Sequence, residues 1–403
     1  MKYFVMLGDG MGDYPLAELG DKTPLAAANK PAMNQLAAQG KSGLMCTLQE
    51  GLPTGSDIAN MAVLGYDPHK YYTGRSPIEA LGMNIAMEDS DTIFRCNLVT
   101  LSTEEPFEEK TVLDHSSGKI SNEEAYELLD LISAELGSPE RVFYPGVSYR
   151  HIMIWKNINY DYVMMPPHDI LEQKITDYLP QGPYGKQVLE MMKKSYQILM
   201  AHPVNQKRIA AGKNPANCIW LWGEGKKPAF DSFSARHNLQ GSIITAVPLL
   251  KGLAKGMDLR SIDVEGATGE YDTNYQGKAA AAIQAFKDGD DFVFVHVEAP
   301  DECGHDGDVK LKVKAIEKID QQVLKPIQEY LAQSKEDYRI LLTPDHATPL
   351  VKRTHTLDPV PFVIFDSRRR ENNPPFYDEE AAKKSGLFFA DGYQLMDYFL
   401  SDQ

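Results

Sequence analysis

Residues 291–307 read DFVFVHVEAPDECGHDG, and this stretch decides the fold. Its first half is a run of β-branched and aromatic residues, the composition of a buried strand. Its second half turns polar, with Asp301 and His305 directly behind the strand and Gly304 between them. That order predicts a strand that carries a carboxylate and an imidazole to its carboxyl end. Gly304 would allow a tight loop aiming both at one point, where a single metal could take both.

Outward from this stretch the same arrangement recurs. The opening KYFVMLGDG reads as a buried strand ending in a glycine-rich turn that presents Asp9. YRILLTPDH ends on the adjacent pair Asp345 and His346, which at an irregular strand end can point to two different ions. His355 lies in RTHTLDPVPF, just before another apolar run, PVPFVIF. With GSIITAV and the helical AAAAIQAF between them, strands and helices alternate, which predicts a largely parallel α/β sheet. Val309, Val313, Ile316, Val323 and Ile327 keep a helical period, and Pro326 should kink or end that helix. NKPAMNQLAAQG has Pro31 near a helix start and Gly40 past its end, so it reads as a covering helix. In PTGSDIANMAVLG, Ser56 occupies the first turn of a short helix.

Taken singly, an Asp at a strand end is a turn former, a lone His is a hydrogen-bonded surface or core group, and a Ser before a helix is a cap. Taken together, Asp9, Asp301, Asp345, His305, His346, His355 and Ser56 are the inventory that two adjacent divalent metals and a nucleophilic serine need. The free N–H groups and positive end of a helix favour a phosphate at Ser56, with Gly55 leaving room and Asn60 a candidate donor. Thr54 is the competing hydroxyl. Cys303, between two candidate ligands, reads as a packed or oxidation-sensitive thiol, and Trp220 and Trp222 alternate at strand period as core residues. His168 and His237 show no partner pattern.

The stretch from about residue 82 to 227 contributes none of these candidates, is acidic in patches (MEDSDT, STEEPFEEK) and is rich in Tyr and Pro around YLPQGPYG. It reads as a domain inserted into a discontinuous metal-binding domain made of residues 1–81 and 228–403. The chain of 403 residues, 43% hydrophobic, is long enough for two or three domains. With 41 basic against 57 acidic residues and a net charge of −16, it is unsuited to nucleic acid or an anionic membrane surface. Four cysteines without a CxxC pair argue against a disulfide framework and for a reducing cytoplasm. The N-terminal run lacks the features of a signal peptide, and no membrane span is expected.

The segments GDGMGD, PTGSDIANMAVLGYDP, TGRSPIEALG, RCNLVT, DHSSGKIS, EGATGEYDTNYQGKA, EAPDECGHDG, TPDHATP and HTLDPVPF together resemble the archaeal-type, cofactor-independent phosphoglycerate mutases of the alkaline phosphatase superfamily, over essentially the whole length. The resemblance implies an α/β fold, with an alkaline-phosphatase-like core, a mostly parallel central sheet flanked by helices, and an inserted α+β domain. It implies that Ser56 is phosphorylated in the cycle. One metal would be held by Asp301, His305 and His355, and the other by Asp9, Ser56, Asp345 and His346, the ions being manganese, zinc, cobalt or magnesium. The implied reaction interconverts 3-phosphoglycerate and 2-phosphoglycerate without a bisphosphoglycerate cofactor, while the insert holds the glycerate and excludes water from the phosphoserine.

A carboxylate and a phosphate invite arginine, and Arg75, Arg95 and Arg150 are the candidates, with His115 as the acid/base group from the insert. Lys226 and Lys227 stand where relatives would carry arginine, and Lys251 is a further candidate near the phosphate. Competing readings on the same core are a phosphatase, a phosphopentomutase-like enzyme or a homoserine kinase, as proposed for some bacterial relatives. No Walker A or kinase glycine loop is present to bind ATP. A non-catalytic phosphate-binding protein is the competitor from another class.

Overall fold

Lys2–Gly8 lies at the centre of an eight-stranded sheet, with Phe292–Val297 on one side and Tyr338–Thr343 on the other, both parallel to it. All three strands are buried on both faces, which is why they read as continuous apolar runs and not as alternating ones. Gly241–Ile244 and Arg260–Ile262 extend the parallel part. On the opposite flank Val360–Asp366 runs antiparallel to Tyr338–Thr343, followed by Lys41–Met45 and the edge pair Phe388–Phe389. An antiparallel neighbour needs no crossover helix. Residues 344–359 therefore return directly as an irregular loop, and that loop carries Asp345, His346 and His355.

Helices cover this sheet through a core in which Phe4, Met6, Val293, Val295 and Ile340 meet Met33, Leu36, Ala282, Phe286 and Ile316. Each fully buried Val, Leu, Ile, Met or Phe side chain among them contributes about 1.5–3 kcal/mol. Pro326 does not end its helix. Val309–Lys318 widens into a π-helical turn, Ile319–Leu324, and continues as Lys325–Gln333. In the wider turn the Lys325 N–H donates to the Asp320 carbonyl, five residues back, so the proline enters a helix whose register has already shifted. The Asp320 carboxylate also accepts the Ala32 and Met33 N–H groups, at 3.3 and 2.7 Å, and so caps the covering helix Pro31–Gln39.

The structure, a computed structural model, describes residues 1–401, and the chain divides into two compact units. Residues 73–228 form the second unit, an antiparallel sheet in which Thr92–Leu101 pairs with Arg150–Trp155, Cys218–Gly225 and Val112–Asp114. Its helices include Asn122–Leu136 and Gly185–Ala201. This unit starts at Thr73, before the helix Arg75–Gly82, and not near residue 82. The reason is local: Ser76 Oγ donates to the Trp222 carbonyl at 3.2 Å and Thr73 Oγ1 to that of Lys226 at 2.6 Å, which ties the helix to this sheet. Trp220 and Trp222 are buried, as their spacing predicts. Among the described residues no helix is long and apolar enough to cross a membrane, and all four cysteines are free thiols.

Candidate functional site

Three adjacent parallel strands end side by side, with Gly8 opposite Val297 and Leu7 opposite Thr343. Ligands of open α/β sheets bind outside such carboxyl ends. Asp9 follows the central strand, and Asp345 with His346 follows one neighbour. Behind the other neighbour the chain forms a helix, Ala299–Asp306, where a tight loop was expected. Asp301 and His305 are therefore brought together by their i,i+4 spacing, with Nε2 3.2 Å from Oδ2. Gly304 serves close approach instead of a turn, because a Cβ there would lie 2.7 Å from the Thr348 carbonyl oxygen. Gly10 is constrained twice over, by a φ of +61° and by Asp301 Oδ1 at 2.6 Å from where its Cβ would be.

His355 completes the first group, its Nε2 lying 3.5 Å from Asp301 Oδ1 and 3.1 Å from His305 Nε2. In the second group His346 Nε2 is 3.4 Å from both Asp9 Oδ1 and Asp345 Oδ2, and 3.2 Å from Ser56 Oγ. The His346 and His355 rings stack at 3.8 Å, so the groups are contiguous. Asp301, His346 and His355 offer donor atoms within 4.8 Å of one another, as do Asp9, Asp345 and His346, which makes His346 common to both sets. Ser56 begins the helix Ser56–Val63 but does not cap it, since Gly55 holds the cap position. Its hydroxyl is thus left for His346. Asn60 does not reach for a phosphate: its amide donates to Asp345 Oδ2 at 2.7 Å and to the Ser56 carbonyl at 2.9 Å. Thr54 is exposed and contributes only its carbonyl, to His355 Nδ1 at 2.9 Å.

Several supporting residues escaped the sequence reading. His296 Nε2 meets Asp9 Oδ2 at 2.8 Å, and its Nδ1 meets Thr245 Oγ1 at 3.2 Å. Thr348 Oγ1 donates to Asp301 and lies 3.2 Å from His346 Nδ1. Contacts of this kind fix ring orientation around a metal. Lys312, fully buried, pairs with Asp13 at 2.7 Å and donates to the Thr348 carbonyl at 2.7 Å, joining the loop after Gly8 to the loop after Thr343. The signals were present: a histidine inside the apolar run FVFVHV, and a lysine at the helical spacing of Val309 and Ile316.

The electrostatics ask for a cation. Burial, with Asp345, Asp301 and Glu298 nearby, pushes the Asp9 carboxyl well above its usual range. Burial likewise raises Glu298, to about 8. Against its own burial, Asp301 is held well below the usual range by hydrogen bonds from His305 and His355. The hydrogen bond to Asp301 raises His305 to about 9. Asp9 Oδ1 is buried with no hydrogen-bond partner among the described residues. An orphaned carboxylate oxygen within a nitrogen and oxygen donor set fits a divalent ion, which would replace the protons that the acids otherwise retain.

The second unit carries a cluster of its own. Arg75 Nε and Arg95 Nη1 both meet Glu79 Oε1, at 3.0 and 3.1 Å. The Arg95 guanidinium lies 4.9 Å from the Trp222 ring and that of Arg150 5.4 Å from Tyr149. Arg95 Nε, Asn97 Oδ1 and Trp222 Nε1 are buried without hydrogen-bond partners among the described residues. The His115 ring sits 5.7 Å from Tyr149 and 6.0 Å from His168, which in turn is 5.4 Å from Trp222. His168, without a partner pattern in the sequence, therefore joins this cluster. Lys226 donates to the carbonyls of Ser90 and Ile158, and the exposed Lys227 pairs with Asp89 at 3.4 Å. In the first unit Lys251 is paired with Asp263 at 2.6 Å.

Comparison with known proteins agrees with this geometry. A family model described as 2,3-bisphosphoglycerate-independent phosphoglycerate mutase matches residues 37–205. The chain is 49% identical to the 2,3-bisphosphoglycerate-independent phosphoglycerate mutase of Methanosarcina barkeri, over 96% of each chain. It is 48% identical to a probable enzyme of the same name from Geobacter sulfurreducens, over 99% of this chain and 100% of the other. Among solved structures, a protein from Pyrococcus horikoshii aligns with a TM-score of 0.81 at 30% identity, covering 100% of this chain and 98% of that one. The cofactor-independent phosphoglycerate mutase of Thermoplasma acidophilum aligns with a TM-score of 0.66 at 27% identity, over 99% of each. With this likeness running from end to end, the chain belongs to the 2,3-bisphosphoglycerate-independent phosphoglycerate mutase family.

Proposed function

We propose that the enzyme interconverts 3-phosphoglycerate and 2-phosphoglycerate through a phosphoserine at Ser56, without a bisphosphate cofactor. The observation that carries this reading is the hydroxyl of Ser56, which caps nothing at the start of its helix and lies 3.2 Å from His346 Nε2, itself 3.4 Å from both Asp9 Oδ1 and Asp345 Oδ2. A serine hydroxyl is a weak nucleophile at its ordinary pKa and needs an activating neighbour. The unpaired N–H groups of the first helical turn and its positive end favour the phosphate once it is attached. Divalent ions held by Asp9, Asp345 and His346 and by Asp301, His305 and His355 would supply positive charge that favours the serine alkoxide and neutralises the phosphoryl oxygens. Asn60 and His296 keep Asp345 and Asp9 oriented while this happens. In the second unit, Arg75, Arg95 and Arg150 offer planar guanidinium groups suited to the carboxylate and phosphate of a phosphoglycerate. Four free thiols and a net charge of −16 suit a reducing cytoplasm and a small soluble substrate.

Phosphorus NMR tests the reading. Enzyme supplied with manganese, zinc, cobalt or magnesium is given 3-phosphoglycerate alone. Appearance of 2-phosphoglycerate without free phosphate is expected. Free phosphate as the sole product would make the protein a hydrolase, and an unchanged spectrum with every metal would sink the mutase reading and bring homoserine with ATP forward.

A further inference from the structure

Phosphoryl transfer between two oxygens of one glycerate raises a proton problem that Ser56 does not solve. Starting from the 3-isomer, the P–Oγ bond to Ser56 forms and the P–O3 bond breaks, so O3 must gain a proton. In the second transfer the O2–H proton must be removed as the O2–P bond forms and the P–Oγ bond breaks. The serine's own proton leaves to water in the first step and returns in the second. The cycle therefore needs one group that gives a proton at one glycerate oxygen and another that takes a proton at the other.

The second unit places two such groups together by backbone pairing. His115 follows the strand Val112–Asp114, and His168 lies on the short helical turn Pro167–Ile170. The Glu172 N–H donates to the Val112 carbonyl at 2.8 Å, and the Val112 N–H to the Gln173 carbonyl at 3.1 Å, which fixes the two rings at one end of this pairing. Among the described residues neither imidazole carries a hydrogen bond. The nearest charged partner of His168 is Asp169 at 3.7 Å, and its side chain is 46% exposed. The Trp222 ring lies 5.4 Å from His168 and the Arg95 guanidinium 4.9 Å from Trp222, and the orphaned Arg95 Nε and Trp222 Nε1 are donors suited to an anionic, oxygen-rich ligand. Partial burial, with Arg95 nearby, lowers the pKa of both imidazoles, while Asp114 and Asp169 oppose it.

We infer that His168 is a second acid/base residue of the mutase, working with His115 so that each imidazole serves one of the two glycerate oxygens. This rests on the phosphoserine reading above. After each turn the two rings have exchanged protonation states and recover them through water.

Half-reactions test the assignment. Native enzyme, His168→Asn and His115→Asn are loaded with manganese, mixed separately with 3-phosphoglycerate and with 2-phosphoglycerate, and quenched in acid to measure phosphoserine at Ser56. The native protein should give a burst from both isomers. Each variant should give a burst from one isomer only, at least 100-fold slower from the other, and the two variants should fail on opposite isomers. His168→Gln should behave as His168→Asn. Equal bursts from both isomers with His168→Asn, loss of both with metal content and circular dichroism unchanged, or failure of both variants on the same isomer would each overturn the role of His168. Absence of phosphoserine in the native enzyme would instead refute the reading on which it rests.

Discussion

A serine at the beginning of a helix ordinarily spends its hydroxyl on the backbone, and Ser56 does not. That small difference separates a capping residue from a nucleophile, and it gives Ser56→Ala a clear expectation. Since the hydroxyl makes no cap bond, stability should change by less than about 1 kcal/mol. Turnover should fall by on the order of 10⁴-fold or more. Paired measurements of metal content, urea midpoint and kcat decide this, and an active Ser56→Ala enzyme would exclude the phosphoserine. At this scale the candidate ligand cluster was legible because acids and histidines directly behind apolar runs have few structural reasons to be there. His168 was not legible. Its partner His115 is far away in the chain, and only the pairing of residues 112 and 172 brings the two rings within 6.0 Å. Asn60 was misread for a similar reason, because the carboxylate that occupies its amide comes from residue 345.

Elements depend on tertiary partners in the same way. The helix that holds Asp301 and His305 has Pro300 in its first turn, followed by two acidic residues, which are helix-start signals that a lone Gly304 outweighed in the sequence reading. The π turn before Pro326 was beyond reach, since it is accompanied by Asp320 capping a helix some 290 residues earlier in the chain. Lys312 and Asp13 show what such long-range ties are worth. Lys312→Met leaves a buried carboxylate without its cation and should cost about 3–5 kcal/mol. Adding Asp13→Asn removes the stranded charge and should recover most of that. Urea unfolding of the three proteins provides the test, and a double variant no more stable than the single one would mean that the ion pair is not the source of the loss.

Across the whole molecule, stability should also carry a pH signature from Glu379, whose carboxylate accepts the Asp13 N–H at 3.2 Å and the Thr23 hydroxyl at 2.7 Å. Burial pushes this carboxyl up to about 7. Below about pH 4 it is protonated in both folded and unfolded chains. As pH rises toward 7 the unfolded chain ionises first, so the folded state loses up to about 3 kcal/mol from this group and then levels off. Glu379→Gln should remove that decline. Urea midpoints at pH 5 and pH 7.5 should differ less for the variant than for its parent, and equal differences would contradict the raised pKa. The division of the chain has a consequence for its synthesis. Lys2–Gly8, the central strand, leaves the ribosome long before either of its neighbours, which begin at Phe292 and Tyr338, is made. At about 5–20 residues per second, an apolar strand with two unsatisfied edges waits on the order of 15–60 s for its first partner, while the intervening residues 73–228 are already complete. Translation arrested before residue 292 should yield a nascent chain in which residues 73–228 resist protease and residues 2–8 do not. Order of synthesis and order of assembly thus part company, and a strand made before residues 73–228 is enclosed only after they have folded.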